Sequence, residues 1–350
     1  KGSCKMSITR ELEEILQIPG VTGYEEPIRK YLAQKIKGLG LSYRVDPLGN
    51  LITEIGSGDK NVIILAHMDE LGLIVSYVEE DGYARFRKIH GTDDRMISGR
   101  SVDVLTDKGP VPGVVGVKPP HLMSDRSEQE KTVPCENLYL DLGTRSRQET
   151  LDLGVDVLTP AVFQKHFNVL NHEYLACRAM DDRFGCLVQL KVLENLMDAD
   201  LPYRLTFVWT VKEEIGLHGA KGIAATHDPD IAIAVDSFAT ADMPEVAFHL
   251  APARLGEGPV LRVVDSYAMS DTFVRKYFQD ICKKHSIPLQ TAMTMGGTDG
   301  SALQSSGVPM LAVAVAVRYM HSMVETIHRR DLEQLIEMLT LGLKEITQIL

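Results

Sequence analysis

Four runs of aliphatic and β-branched residues constrain this chain most: NVIILA at 61–66, RLTFVWTV at 204–211, IAIAV at 231–235 and PMLAVAVAV at 309–317. A strand with one wet face alternates apolar and polar residues. These runs are apolar on both faces, the composition of strands buried within a covered sheet. Polar groups at the ends of such strands are costly unless something binds them. Yet His67, Asp69 and Glu70 follow the first run, Glu213 and Glu214 the second, Asp236 the third and His321 the last, while Asp181 and Asp182 open a helical stretch. In a mainly parallel sheet the strand C-termini share one edge, where such sheets place their ligands. The spacing therefore predicts that five separate segments converge there.

Between these runs the texture changes twice. The opening predicts an amphipathic helix at about 9–18 through Leu12, Ile15 and Leu16, a turn at PGVTGYEEP, and a second helix through Ile28, Tyr31, Leu32, Ile36 and Leu39. Residues 73–164 read as short β runs (GLIVSYV, YARFRKI, SVDVLT, PVPGVVGV, ENLYLDL) separated by glycine, proline and charged turns. After residue 165 the α/β alternation resumes, with helices in DRFGCLVQLKVLENLM, TFVRKYFQDICKKH and DLEQLIEMLTLGLKEITQIL. The fold class expected is α/β: a mixed central sheet flanked by helices, formed by 6–72 and 165–350, with a small all-β domain, 73–164, inserted into it.

Composition excludes several function classes. With 48 acidic against 37 basic side chains the net charge is −11, and no basic run is present, so nucleic acid is not an expected partner. The longest apolar run, 309–317, falls short of the roughly 20 residues a membrane span needs, so no membrane is expected either. The five cysteines are odd in number and contain no C-x-x-C, which argues against a disulfide framework and points to a reducing cytoplasm. The opening KGSCK before Met6 reads as a leftover of protein production, which a mass measurement on the natural protein tests.

Electrostatics decide what the polar strand ends are for. Strand residues two apart share a face roughly 7 Å from each other, so His67 and Asp69 point the same way. An acid in that position can take the second N–H of a metal-binding imidazole and fix its tautomer. Each doublet alone has a simpler reading: Asp181-Asp182 as a helix cap, Glu213-Glu214 as a solvated strand end. Gathered with two imidazoles, the carboxylates of Asp181, Glu214 and Asp236 repel one another unless a cation sits among them. One divalent ion takes about four ligands, whereas two ions about 3.5–4 Å apart share a bridging carboxylate, so the inventory fits two metals. Imidazole plus carboxylate favours zinc, and cobalt, manganese or nickel suit the same donors.

The stretches AHMDELGLIV, AMDDRFG, VKEEIGLHGAKG, VDSF, MGGTDGSAL and RYMHSMVETI, in that order, resemble the dinuclear zinc aminopeptidases, and more narrowly the tetrahedral (TET), glutamyl and deblocking aminopeptidases. The resemblance spans nearly the whole chain and implies a zinc-exopeptidase-like catalytic domain. It implies that Asp181 bridges two metals, His67 and Asp236 complete one shell, Glu214 and His321 complete the other, Glu213 is the general base, and Asp69 orients His67. It also implies a cis peptide at Asp181–Asp182, with Asp182 anchoring that geometry. The reaction implied is hydrolysis of the first peptide bond of short peptides by a metal-bridged water, in a cytoplasmic homo-oligomer, often a tetrahedral dodecamer whose β inserts help build the shell and govern substrate access. Departures from the family pattern at His218 in GLHGA, and at Thr298 and Asp299 in MGGTDGS, mark these three as candidate substrate-side residues. Alternatives are a metal-dependent deacylase, a glycoside hydrolase, which two carboxylates alone could serve but which leaves the histidines idle, and a metal-binding scaffold without turnover.

Overall fold

The computed structural model describes residues 7–350; the opening KGSCK lies outside them. The described chain divides into two units, one comprising the residues up to 69 with 167–320 and 324–350, the other 70–166 with 321–323.

The first unit opens with helices α1 (Ile8–Gln17) and α2 (Glu26–Gly38). Ser7 caps α1 through its hydroxyl on the Arg10 amide, and Leu12, Ile15 and Leu16 form its buried face. Pro27 starts α2, where its missing N–H costs nothing. Strands β1 (Arg44–Val45), β2 (Leu51–Gly56) and β3 (Asn61–His67) follow, and every residue of β3 is buried.

The second unit is a closed six-stranded barrel of β4 (Leu73–Val78), β5 (Ala84–Lys88), β6 (Ser101–Thr106), β7 (Gly109–Val115), β8 (Leu140–Asp141) and β9 (Pro160–Phe163). Its core includes Val75, Phe86, Val104, Leu140 and Phe163. One short helix, α3 (Arg147–Asp152), departs from the all-β expectation. Its signal was present as Ser146-x-x-Glu149, a capping pair: the Ser146 hydroxyl accepts from the Glu149 amide at 3.3 Å.

The chain then returns to the first unit through β10 (Asn168–Leu170), β11 (Tyr174–Ala176), α4 (Met180–Leu196), β12 (Arg204–Thr210), α5 (His218–Thr226) and β13 (Ile231–Ala239). The remaining elements are β14 (Val260–Val264), α6 (Thr272–His285), β15 (Gln290–Met293), α7 (Gly300–Ser305), β16 (Met310–Val317), β17 (Thr326–His328) and α8 (Arg329–Glu345). The main sheet runs β1-β2-β12-β3-β13-β16-β14-β15, with β10-β11-β17 as a separate three-stranded sheet. Adjacent strands β12, β3, β13 and β16 are parallel; β2 and β14 flank them antiparallel, so the sheet is mixed. These four are the apolar runs, and helices cover both faces. Leu12, Phe184, Leu193 and Leu339 pack on one face, and Ala220, Ile223 and Leu303 on the other. No helix among the described residues is long and apolar enough to cross a membrane.

Candidate metal centre

Parallel register brings the polar strand ends to one level. Thr210 lies opposite His67, and Ala234 opposite Leu65, so Asp236 continues the same row two residues on. The imidazole of His67 is buried, with Nε2 3.1 Å from Asp181 Oδ1. Asp181 sits where Ala179 turns left-handed (φ 64°) and the Asp181–Asp182 peptide is cis, before α4 becomes regular. Its amide donates to the buried Glu325 carboxylate at 3.3 Å.

Two overlapping groups result, each with its ligand-type atoms all within 4.8 Å of one another: His67, Asp181 and Glu214, and His67, Asp182 and Asp236. The structure thus gathers His67, Asp181, Glu214 and Asp236. It also places Asp182, read from the sequence as an anchor, beside Asp236. One Asp182 oxygen accepts from the Gly185 amide at 3.2 Å while Oδ2 has no partner. Neither group includes His321, which belongs with the second unit in a left-handed conformation (φ 62°), close against Gly91.

Asp69 does more than the sequence indicated. Its Oδ1 lies 3.4 Å from His67 Nδ1, outside hydrogen-bond geometry, and Nδ1 has no hydrogen-bond partner. Its hydrogen bonds come instead from the Thr22 hydroxyl (2.8 Å) and the Glu213 and Glu214 amides (3.0 and 3.3 Å). Of the substrate-side candidates, His218 is exposed at the start of α5. Thr298 is buried with an unpartnered hydroxyl, and Asp299 is buried, accepting from Thr210 through one oxygen and nothing through the other. Thr22, Glu25, Thr210 and Glu325 were not singled out as site residues. Glu325 stands inside RYMHSMVETI, but the rest carry no local signal beyond being polar near turns.

The electrostatics test whether metal suits this place. Burial pushes the carboxyls of Asp182 and Glu213 well above their ordinary range, aided by the charge of Asp236 in both cases. Burial, then the charge of Asp181, lifts Asp236 to about 6; burial lifts Asp299 to about 7. Burial opposes a charge on His67, but the neighbouring carboxylates of Asp181, Asp69 and Glu213 overcome it and raise the imidazole well above its usual value. Left to itself the cluster relieves its crowding by holding protons. A divalent cation relieves the same repulsion with charge of its own, and imidazole with carboxylate oxygens is a zinc-type donor set. His67 Nε2, which faces Asp181, and the buried, unpartnered Asp182 Oδ2 fit that use.

Comparison with known proteins agrees. Residues 49–338 match the M42 glutamyl aminopeptidase family model. The lysyl aminopeptidase of Pyrococcus furiosus is 31% identical over 340 residues, covering 96% of each chain. The glutamyl aminopeptidase of Lactococcus lactis is 30% identical, covering 91% of this chain and 90% of its own. A solved structure of the Pyrococcus horikoshii TET1 peptidase, which can assemble into a tetrahedron or a large octahedral shell, superimposes with a TM-score of 0.90 at 41% identity, over 95% of this chain and 98% of that one. The chain belongs to the M42 glutamyl aminopeptidase family: it is a metal-dependent aminopeptidase, a peptide hydrolase.

Proposed function

We propose that this chain removes the N-terminal residue of short peptides at a two-metal centre, with zinc as the resident ion and Glu213 as general base. The observation that carries this is the gathering of His67, Asp181, Glu214 and Asp236 in one buried region beside Glu213. Asp181 would be the ligand shared by the two ions and His321 the remaining one; His321 is assigned on its motif, RYMHSMVETI, alone. When bound, the ions lower the pKa of a water from about 15.7 towards 7 and polarise the scissile carbonyl.

The side chains do the rest. Glu213 accepts the proton of the attacking water and returns it to the leaving amine nitrogen, so the carboxylate is regenerated each turnover. Its buried, anion-crowded surroundings make it a willing proton acceptor. The surplus of carboxylates gives a substrate ammonium group a place to bind, which directs cleavage to the chain end. Thr298, Asp299 and His218 belong to the substrate side, with His218, being exposed, the outermost.

The β barrel takes part in assembly and substrate access, and the working form is a homo-oligomer, proposed as a tetrahedral dodecamer on the likeness to the P. horikoshii peptidase. Sedimentation giving only monomer at assay concentration defeats that part. The reducing cytoplasm is the proposed location, supported by the odd cysteine count without a C-x-x-C and by the burial of Cys135, Cys177, Cys186 and Cys282.

The direct test is a panel of aminoacyl-p-nitroanilides. Hydrolysis lost on chelation and restored by zinc or cobalt is expected. Equal cleavage of an N-acetylated peptide would instead assign a deacylase.

A further inference from the structure

The turn that carries Glu213 and Glu214 is gripped by two buried carboxylates from elsewhere in the chain. Lys212 adopts a left-handed conformation (φ 55°), which a residue with a Cβ avoids unless its surroundings hold it there. Three successive amides, those of Lys212, Glu213 and Glu214, each meet a carboxylate, the arrangement of a backbone anion nest. Glu25 Oε1 accepts from the Lys212 amide at 3.1 Å and from its own turn's Gly23 amide at 2.8 Å. Asp69 accepts from Glu213 at 3.0 Å and from Glu214 at 3.3 Å, and the Thr22 hydroxyl donates to Asp69 at 2.8 Å. Thr22, Glu25 and Asp69 are all buried. Behind the nest, the Lys212 carbonyl accepts from the His218 amide and the Glu213 carbonyl from Gly216 and Leu217, closing the turn against α5.

We infer that Thr22 and Glu25, in the turn PGVTGYEEP between α1 and α2, are positioning residues for the reaction. Two neighbouring residues on an extended strand point their side chains to opposite faces. Glu213 and Glu214 serve one site together only because the backbone, past the end of β12, turns left-handed at Lys212. Glu25 holds that departure by the Lys212 amide. Thr22 holds Asp69 in the orientation that receives the next two amides. Both act through the backbone and neither touches the reacting atoms. This inference rests on the reading of Glu213 as base and Glu214 as ligand.

The test uses the full chain loaded with zinc and four variants: Thr22→Val and Glu25→Ala, which remove the hydrogen bonds, and Thr22→Ser and Glu25→Gln, which keep them. The readouts are kcat and KM on an aminoacyl-p-nitroanilide, zinc retention against a chromophoric chelator, and Tm. Thr22→Val and Glu25→Ala are expected to lower kcat and weaken zinc retention by about 10- to 100-fold, the range for groups that orient a metal's ligands, with KM nearly unchanged. Thr22→Ser and Glu25→Gln are expected to restore most of both. The inference is overturned if the first pair retain zinc and turn over like the wild type. It is equally overturned if all four variants lose stability and activity in step, which is what a purely structural clasp gives. Should the wild type lack chelator-sensitive aminopeptidase activity, the functional reading fails, and zinc retention across the four variants still decides the positioning role.

Discussion

The two units of this molecule are both built on apolar β structure, yet they treat buried charge in opposite ways. In the barrel unit the buried acid Glu70 is matched by a buried base, Lys165, at 2.8 Å, and the pair is electrically neutral. In the first unit, Asp181, Asp182, Asp236 and Asp299 are buried with the half-buried Glu213 around one imidazole, and the buried arginines among the described residues, Arg178, Arg183 and Arg262, are fewer than these acids. Among the described residues, the barrel unit has one buried side-chain atom without a hydrogen-bond partner, the Thr92 hydroxyl, whereas His67, Asp182, Thr298 and Asp299 all contribute one near the strand ends. Folding alone favours the first solution, because an unmatched buried charge costs several kcal/mol. The second persists where a ligand supplies what is missing, so an unbalanced buried cluster signals function better than a balanced one does.

The contrast can be broken or sharpened by experiment. The largest effect belongs to Glu213→Gln, expected to lower kcat by about 10³-fold while zinc content, measured by atomic absorption, stays at the wild-type value; near-normal turnover removes the assigned base. Next, Lys165→Met removes the base 2.8 Å from buried Glu70 and is expected to cost about 3–5 kcal/mol in urea unfolding, with zinc retention unchanged in the folded fraction. A fall in zinc content there would end the separation drawn between the two units. Gly185→Ala comes third. A Cβ at Gly185 would overlap the Asp182 carboxylate, so the carboxylate must move, and zinc retention is expected to weaken about tenfold with little change in Tm.

The smallest effect is on pH dependence. Asp236 titrates at about 6 and Asp299 at about 7, both above the ordinary aspartate range. A carboxyl raised on folding binds its proton more tightly in the folded chain than in the unfolded one. Its contribution is therefore full below the unfolded value and lost as pH rises through the folded one. Metal-free protein is expected to lose this stability between about pH 4 and 7, whereas zinc-loaded protein, whose carboxylates are neutralised by metal, is not. Melting curves with and without chelator should separate increasingly across that range, and parallel curves would deny the cation its role.

Much of this was legible beforehand because it is written in local periodicity. The apolar runs around Ile64, Phe207, Ile233 and Val313 became the four parallel strands of the sheet, since only strands covered on both faces tolerate that composition. Helix α1 was expected at about 9–18 and spans Ile8–Gln17, its start set by the Ser7 cap. Helix α3 was passed over because one turn and a half carries too little period to register beside β-rich neighbours. The grip on the Glu213 turn was out of reach for a different reason. Thr22 lies 47 residues from Asp69, and Glu25 lies 187 residues from Lys212, so no window of sequence contains the contact.

The sequence by itself determined which segments must be buried and which residue types end them, because burial on two faces and the cost of stranded polar groups act on every residue where it stands. Only the tertiary structure decided that Asp182 joins Asp236, that Asp69 spends its hydrogen bonds on the amides of Glu213 and Glu214, and that Glu70 has a base to match it. Those outcomes depend on where distant backbone amides and charges fall in space, and parallel crossover connections place them together without leaving a trace in the local order of residues.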